Sequence, residues 1–346
     1  MIGLIIFSAV LALSFAGVSL YRHWGVRHQV LAIPNERSSH NAPTPHGAGL
    51  IIVIICLISY IPISVYVVGP LSWGYFIGAL LIAVISFLDD ISTIPFFWRL
   101  AVHSIAAILL IVDLETWHGI TMLGNIHLGV FGYILTFMWI VWMVNGYNFM
   151  DGIDGLAGLQ AVIAAGGWLI LSRILDMQSI YYFSCVIAAA SLGFLFQNLS
   201  RSKIFMGDVG SAFLGFTFAA LPLLGRNLAV KSPDLLPIAA VLFVWFFIFD
   251  SIMTILRRLI RGEKIWVAHR EHLFQRLVSS GFTHRQVTVI YGALASILSV
   301  IVLLSVQFRD DISFAIAPVV VILTATLLFI CYRRRVLTGL QTREGH

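Results

Sequence analysis

Apolar residues fill this chain in long runs, with short polar segments between them. Runs of about 18 or more apolar residues are long enough to cross a bilayer as a helix. Such runs recur, and eleven candidate helices are predicted, at 2–21, 48–68, 71–88, 97–112, 128–144, 156–175, 179–198, 211–225, 235–256, 287–306 and 312–331. The first run, Ile2 to Leu20, has no basic residue before it and no small-residue cleavage site after it. It reads as a retained helix rather than a signal peptide.

Composition agrees with this pattern. The chain has 346 residues, of which 60% are hydrophobic and 11% charged. Its mean hydropathy is +0.97. One soluble core could not hide that much apolar surface. The three cysteines, Cys56, Cys185 and Cys331, lie far apart in apolar runs and show neither metal spacing nor a disulfide framework. No repeat, low-complexity tract or separate soluble domain is visible. Residues 1–346 therefore read as one domain, an all-α polytopic membrane protein of about eleven transmembrane helices.

Charge gives the orientation. Alternating spans place segments 22–47, 89–96, 145–155, 199–210, 257–286 and the C-terminal tail on one side. Only Arg173, Arg226, Lys231 and Arg309 of the 21 Lys and Arg residues fall on the other. The positive-inside rule makes the first side cytoplasmic. The N-terminus is then periplasmic and the C-terminus cytoplasmic. The segments richest in polar chemistry all fall on that cytoplasmic side, which supports one shared active site built from these loops.

Each segment has a chemical reading and a plainer one. In "ISFLDDIS", Asp89 and Asp90 are adjacent carboxylates. They stay ionised together only where a cation or strong donors compensate. The plain alternative is a solvated acidic helix end. In "NGYNFMDGIDGLAG", Asp151 and Asp154 share a face on a helical turn, framed by Asn145, Asn148 and four glycines. Asp154 alone could be a helix cap. In "KIFMGDVGS", Asp208 stands among glycines at a helix start, where backbone N–H groups suit phosphate. An aspartate there fits phosphate only with a divalent cation between them, and Mg²⁺ favours one or two carboxylates plus substrate phosphates. Phe205 could stack on a base or simply pack.

In "HREHLFQRL", His269 and His272 could bind zinc, hold a diphosphate with Arg270, or belong to a solvated basic loop. "RSSHNAPTPHGAG" offers donors at Ser38, His40, Thr44 and His46 on a proline-stiffened chain. Asp250 falls inside the ninth run, where burial of a charge costs about 2.5–3.5 kcal/mol. It and His103 read as scaffold residues.

Taken in order, "LDD" at 88–90, "NFMDGIDGLAG" at 148–158, "FMGDVGS" at 205–211 and "HREH" at 269–272 resemble the bacterial polyprenyl-phosphate N-acetylhexosamine-1-phosphate transferases. These are of glycosyltransferase family 4 type and related to phospho-N-acetylmuramoyl-pentapeptide transferase. The loop "RSSHNAPTPHGAG" looks like the O-antigen-initiating branch. The muramoyl branch usually has successive histidines where this chain has His-Arg-Glu-His, and often a lysine where this chain has Thr93.

The resemblance implies transfer of a sugar-1-phosphate from a UDP-N-acetylhexosamine to undecaprenyl phosphate in the bacterial inner membrane. It implies Mg²⁺, with Mn²⁺ as a substitute, held by Asp208 and Asp90. Asp89, Asp90 and Asp208 would be catalytic, with Asp89 binding or deprotonating the lipid phosphate. Asn148, Asp151 and Asp154 would shape the nucleotide pocket, Phe205 would stack on uracil, and Asn198 would lie nearby. His269, Arg270 and His272 would hold the diphosphate or sugar, with Ser38, His40 and Thr44 as further substrate contacts. The family pattern is compatible with a homodimer, and nothing points to nucleic acid. The competing reading is an ion-coupled transporter, allowed by many helices and an intramembrane Asp250. The Asp pattern of CDP-alcohol phosphotransferases is absent from the sequence.

Overall fold

The computed structural model describes residues 1–32, 43–67, 71–117, 119–120, 126–199, 203–226, 228, 235–264, 270–308 and 313–344. Ser38, His40 and His269 lie outside the described residues. The described chain is nearly all helical. Its helices are α1 (Ile2–Arg27), α2 (Gly49–Tyr66), α3 (Trp73–Ile91), α4 (Phe96–Leu114), α5 (Val130–Phe149), α6 (Leu156–Ile174) and α7 (Gln178–Asn198). They continue with α8 (Asp208–Arg226), α9 (Leu236–Phe243), α10 (Trp245–Ile260), α11 (Leu273–Ser279), α12 (His284–Phe308) and α13 (Ser313–Glu344). Two short antiparallel pairs complete it: β1 (Leu31–Ala32) with β2 (Thr44–Pro45), and β3 (Gly119–Ile120) with β4 (Ile126–His127).

Among the described residues nine helices are long and apolar enough to cross a membrane, or ten if the bent pair α9–α10 is one span. A shorter apolar stretch, Ile316–Tyr332, lies within α13. The expected ninth span is thus not one straight helix. It turns by 73° at Val244, between α9 and α10. A broken helix frees backbone carbonyls that lipid cannot satisfy. Here the buried Gln160 of α6 donates its Nε2 to the Phe243 carbonyl at 2.7 Å. Three boundaries also move. Asp89 and Asp90 lie in the last turn of α3, Asn145 and Asn148 in the last turns of α5, and Asp208 opens α8. The basic loop contains a helix, α11, that the apolar pattern did not predict.

The bundle is organised around α8, which is the most buried of the spans. Membrane helices attract each other mainly by close packing, so small residues mark their contacts. A Cβ at Gly49 of α2 would lie 2.3 Å from the Gly210 Cα of α8. Gly49→Ala therefore pushes α2 from α8 and is expected to cost about 1–3 kcal/mol, read as earlier thermal unfolding in detergent. Gly166→Ala, where a Cβ meets nothing within 4 Å, is the matched control.

Candidate active site

The α3, α5, α7 and α8 segments that carry the carboxylate and asparagine motifs meet at one end of the bundle. Asp90, Asp151, Asp154 and Asp208 line a single cavity of about 300 Å³ there. Asn198 and Phe205 stand in its wall, as do His46, Gln275 and His284.

Local backbone chemistry holds the α8 side together. Asp90 accepts the Asp208 N–H on Oδ1 at 2.8 Å and the Val209 N–H on Oδ2 at 3.1 Å. It therefore caps α8 and fixes where Asp208 begins. Gly207 makes room for this contact, because its φ is +77° and a Cβ there would lie 2.6 Å from Asp90 Oδ2. The Phe205 N–H donates to the Pro45 carbonyl at 2.8 Å, and its own carbonyl accepts from Ala48 N–H at 3.1 Å. Phe205 is thereby tied to β2 and half-buried at the cavity.

Arg99 is a residue the motifs did not reveal. From α4 its Nη1 donates to Asp89 Oδ2 at 2.5 Å and to Asp208 Oδ2 at 3.2 Å. Asp89 also accepts the Ile94 N–H at 2.7 Å. Asp89 thus faces Arg99 and does not line the cavity with the other four carboxylates. His46, read from sequence only as a loop donor, has Nδ1 3.8 Å from Asp90 Oδ1.

The α5–α6 connection supplies the centre. Burial pushes the Asp151 carboxyl up to about 8, and repulsion from Asp208, Asp90 and Asp154 acts in the same direction. Asn198 is buried and braces this loop. It accepts the Gly155 N–H at 2.7 Å and donates to the Ile204 carbonyl at 2.8 Å. Asn148 donates to Ser211 Oγ at 3.1 Å, which joins the end of α5 to the start of α8. It braces the site and is not in the cavity wall. Asp154 has His284 Nδ1 3.5 Å from its Oδ2, and its carbonyl accepts from Thr288 Oγ1 at 2.8 Å.

The remaining predicted residues stand elsewhere. Thr44 is buried in β2, paired with Ala32. Arg270 is exposed. His272 is 4% exposed, with Nδ1 3.1 Å from the fully buried Asp250. His272, expected at the diphosphate, thus turns Nδ1 to the scaffold and is not among the described residues lining the cavity, whose wall carries Gln275 from the same segment.

Among the described residues no group of three His, Cys, Asp or Glu side chains could hold a metal ion by itself. The donor set nevertheless fits Mg²⁺, which needs one or two carboxylates and takes its other ligands from water and substrate phosphates. The fit is also electrostatic. Four carboxylates share the cavity with no Lys or Arg among its described lining residues, and repulsion among them adds to burial in raising Asp151.

Fold and site together define a multi-pass membrane protein with an acidic cavity at one end of its helix bundle. Residues 72–226 match the model of glycosyl transferase family 4. A probable undecaprenyl-phosphate N-acetylglucosaminyl 1-phosphate transferase of Bacillus subtilis (strain 168) is 31% identical over 275 residues, covering 78% of this chain and 76% of the relative. The undecaprenyl-phosphate alpha-N-acetylglucosaminyl 1-phosphate transferase of Salmonella typhi is 30% identical over 296 residues, covering 82% and 78%. A decaprenyl-phosphate N-acetylglucosaminephosphotransferase of Mycobacterium tuberculosis (strain CDC 1551 / Oshkosh) is 30% identical over 339 residues, covering 86% and 81%. The chain belongs to the polyprenyl-phosphate N-acetylhexosamine-1-phosphate transferases of glycosyl transferase family 4.

Proposed function

We propose that this protein transfers an N-acetylhexosamine 1-phosphate from a UDP-sugar to undecaprenyl phosphate, starting a cell-envelope polysaccharide such as O-antigen. The names of the relatives put UDP-N-acetylglucosamine first among the donors. The observation that carries this reading is the meeting of Asp90, Asp151, Asp154 and Asp208 around one cavity at a bundle end. A carrier built on inverted repeats would need a matching broken helix in its other half. Among the described residues α9–α10 is one bent pair without a counterpart.

In this reading the chain crosses the inner membrane eleven times. The N-terminus is periplasmic, the C-terminus cytoplasmic, and the cavity opens at the cytoplasmic headgroup level, where a lipid phosphate sits. An oxygen of that phosphate attacks the β-phosphorus of the UDP-sugar. The bond from that phosphorus to the bridging oxygen breaks, and UMP leaves with the oxygen. Phosphoryl transfer needs mainly positioning and charge neutralisation. A divalent cation supplies the neutralisation when bound, with Asp208 as its principal ligand.

Asp90 sets Asp208 by capping α8. Arg99 holds Asp89 close to Asp208 and offers a cationic handle for the acceptor phosphate. A phosphate monoester has its second pKa near 6 and is largely ionised at neutral pH. Asp89 therefore serves to place the acceptor and is not needed as a base. Asp151 and Asp154 border the diphosphate and sugar, and Phe205 offers its ring to uracil.

The test is purified protein with undecaprenyl phosphate, Mg²⁺ and a panel of UDP-sugars. UMP and a lipid-diphosphate sugar are expected with UDP-N-acetylglucosamine. EDTA should stop turnover, and added Mg²⁺ or Mn²⁺ should restore it. Absence of product with every donor would overturn the reading.

A further inference from the structure

The cavity has two walls of different chemistry. One comes from β2, α3 and α8 and carries His46, Asp90, Phe205 and Asp208. The other comes from the α5–α6 loop, α11 and α12 and carries Gly152, Asp154, Gln275 and His284. Asp151 lines the cavity as well, within reach of the charges of Asp90, Asp208 and Asp154.

The second wall is arranged as a set of hydrogen-bonding groups. His284 opens α12, with Nδ1 3.5 Å from Asp154 Oδ2. With Nδ1 turned to that carboxylate, Nε2 is the ring nitrogen left for a ligand. The Asp154 backbone is held from the same helix by Thr288. Gln275 has its Oε1 3.3 Å from the His272 N–H, as part of the α11 capping box. That contact turns Nε2 of Gln275 toward Gly152, where a Cβ would lie 3.6 Å away. The lack of a side chain at Gly152 makes room for the Phe274 ring, which a Cβ there would meet at 2.8 Å.

A carboxylate, an imidazole and a primary amide can accept from and donate to several hydroxyls at once. Asp154 repels a phosphate, and neither Lys nor Arg stands among these four to bind one. The chemistry suits the uncharged, hydroxyl-rich end of a sugar nucleotide. We propose that His284 and Gln275, together with Asp154, form the subsite that reads the sugar of the donor, and that His284 and Gln275 determine donor specificity. The inference rests on the transferase reading above and deepens it. The nucleotide and its diphosphate belong to the first wall.

The test compares wild type with His284→Ala, His284→Gln and Gln275→Glu in the full-length purified protein. Gln275→Glu keeps an acceptor for the capping box and removes the N–H donor. For each protein, kcat and KM are measured with UDP-N-acetylglucosamine, UDP-N-acetylgalactosamine and UDP-glucose. The inhibition constant of UMP, which has no sugar, is measured beside them. His284→Ala is expected to raise KM for the preferred donor roughly tenfold, the loss of one good hydrogen bond. Its preference among the three sugars should shrink, while UMP inhibition stays within about twofold. His284→Gln, which retains a hydrogen-bonding group, should recover part of the preference, and Gln275→Glu should shift it.

Unchanged sugar preference in both His284→Ala and Gln275→Glu would overturn the proposal. So would an equal weakening of UMP, because His284 would then touch the nucleotide. A wild-type protein that releases no UMP from any donor would instead remove the transferase reading, and this inference with it.

Discussion

Asp208→Asn is expected to lower sugar-phosphate transfer by a factor on the order of 10²–10³ while the thermal unfolding of the protein stays where it was. The size is that of removing one preorganised electrostatic group from a phosphoryl or acyl transfer site. The separation of activity from stability follows from the geometry. Asp208 donates its backbone N–H to Asp90, and that bond survives the substitution. The side chain is the only part that changes; its hydrogen bond from Asn148 suits an asparagine oxygen as well, and its ion-pair partner is Arg99 at 3.2 Å. Both groups are partly exposed, at 30% and 36% of the side chain, so the lost ion pair contributes little to folding. An asparagine has one neutral oxygen in place of a charge, and it no longer attracts a divalent cation. Steady-state UMP release over a Mg²⁺ series checks the first half, and melting in detergent checks the second. Wild-type turnover in the folded variant would refute the assignment of Asp208 as metal ligand.

The spans were legible because lipid makes one demand on every residue of a crossing helix. Long apolar runs read directly as α1 to α8 and α12, within a few residues. The break at Val244 was not legible. It is made tolerable by Gln160, which lies on another helix and reaches the freed Phe243 carbonyl. Nothing between residues 235 and 256 announces that partner. For the same reason α11 was hidden. Its start depends on Asp250, more than twenty residues earlier, accepting from its first backbone N–H groups.

The acidic part of the site was visible because short motifs rich in glycine and aspartate have few other uses at span ends. Four of its carboxylates do line one cavity. Arg99 was missed because it is a single polar residue at the edge of an apolar run, whereas Gln275 and His284 stand among other polar residues of the basic loop and nothing there marks them out. The packing of His272 was hidden for the opposite reason. It sits in a motif, and its structural bond to Asp250 could be known only once α10 and α11 were brought together.

That bond belongs to the second large expected effect. Asp250→Ala should destabilise the folded protein by about 3–5 kcal/mol, the usual result of removing one member of a buried, hydrogen-bonded polar group. Asp250 has no exposed surface. Its Oδ1 accepts from Leu273 N–H at 2.8 Å and Thr254 Oγ1 at 3.2 Å, and stands 3.1 Å from His272 Nδ1. Its Oδ2 accepts from Tyr291 Oη at 2.7 Å and Phe274 N–H at 3.1 Å. One side chain thus joins α10, the start of α11 and the middle of α12. Alanine would strand these donors without water to replace the acceptor.

The damage should spread to function by a definite path, because α11 carries Gln275 and α12 carries His284 into the cavity wall. Asp250→Ala should therefore melt at lower temperature and lose transfer together with stability, whereas Asp208→Asn loses transfer alone. Tyr291→Phe, which removes one donor and keeps the ring, should cost about 1 kcal/mol and leave most activity. Melting curves of the three variants in one detergent decide the matter. An Asp250→Ala protein that melts with the wild type would show that the joint between α10, α11 and α12 is held by something other than this carboxylate.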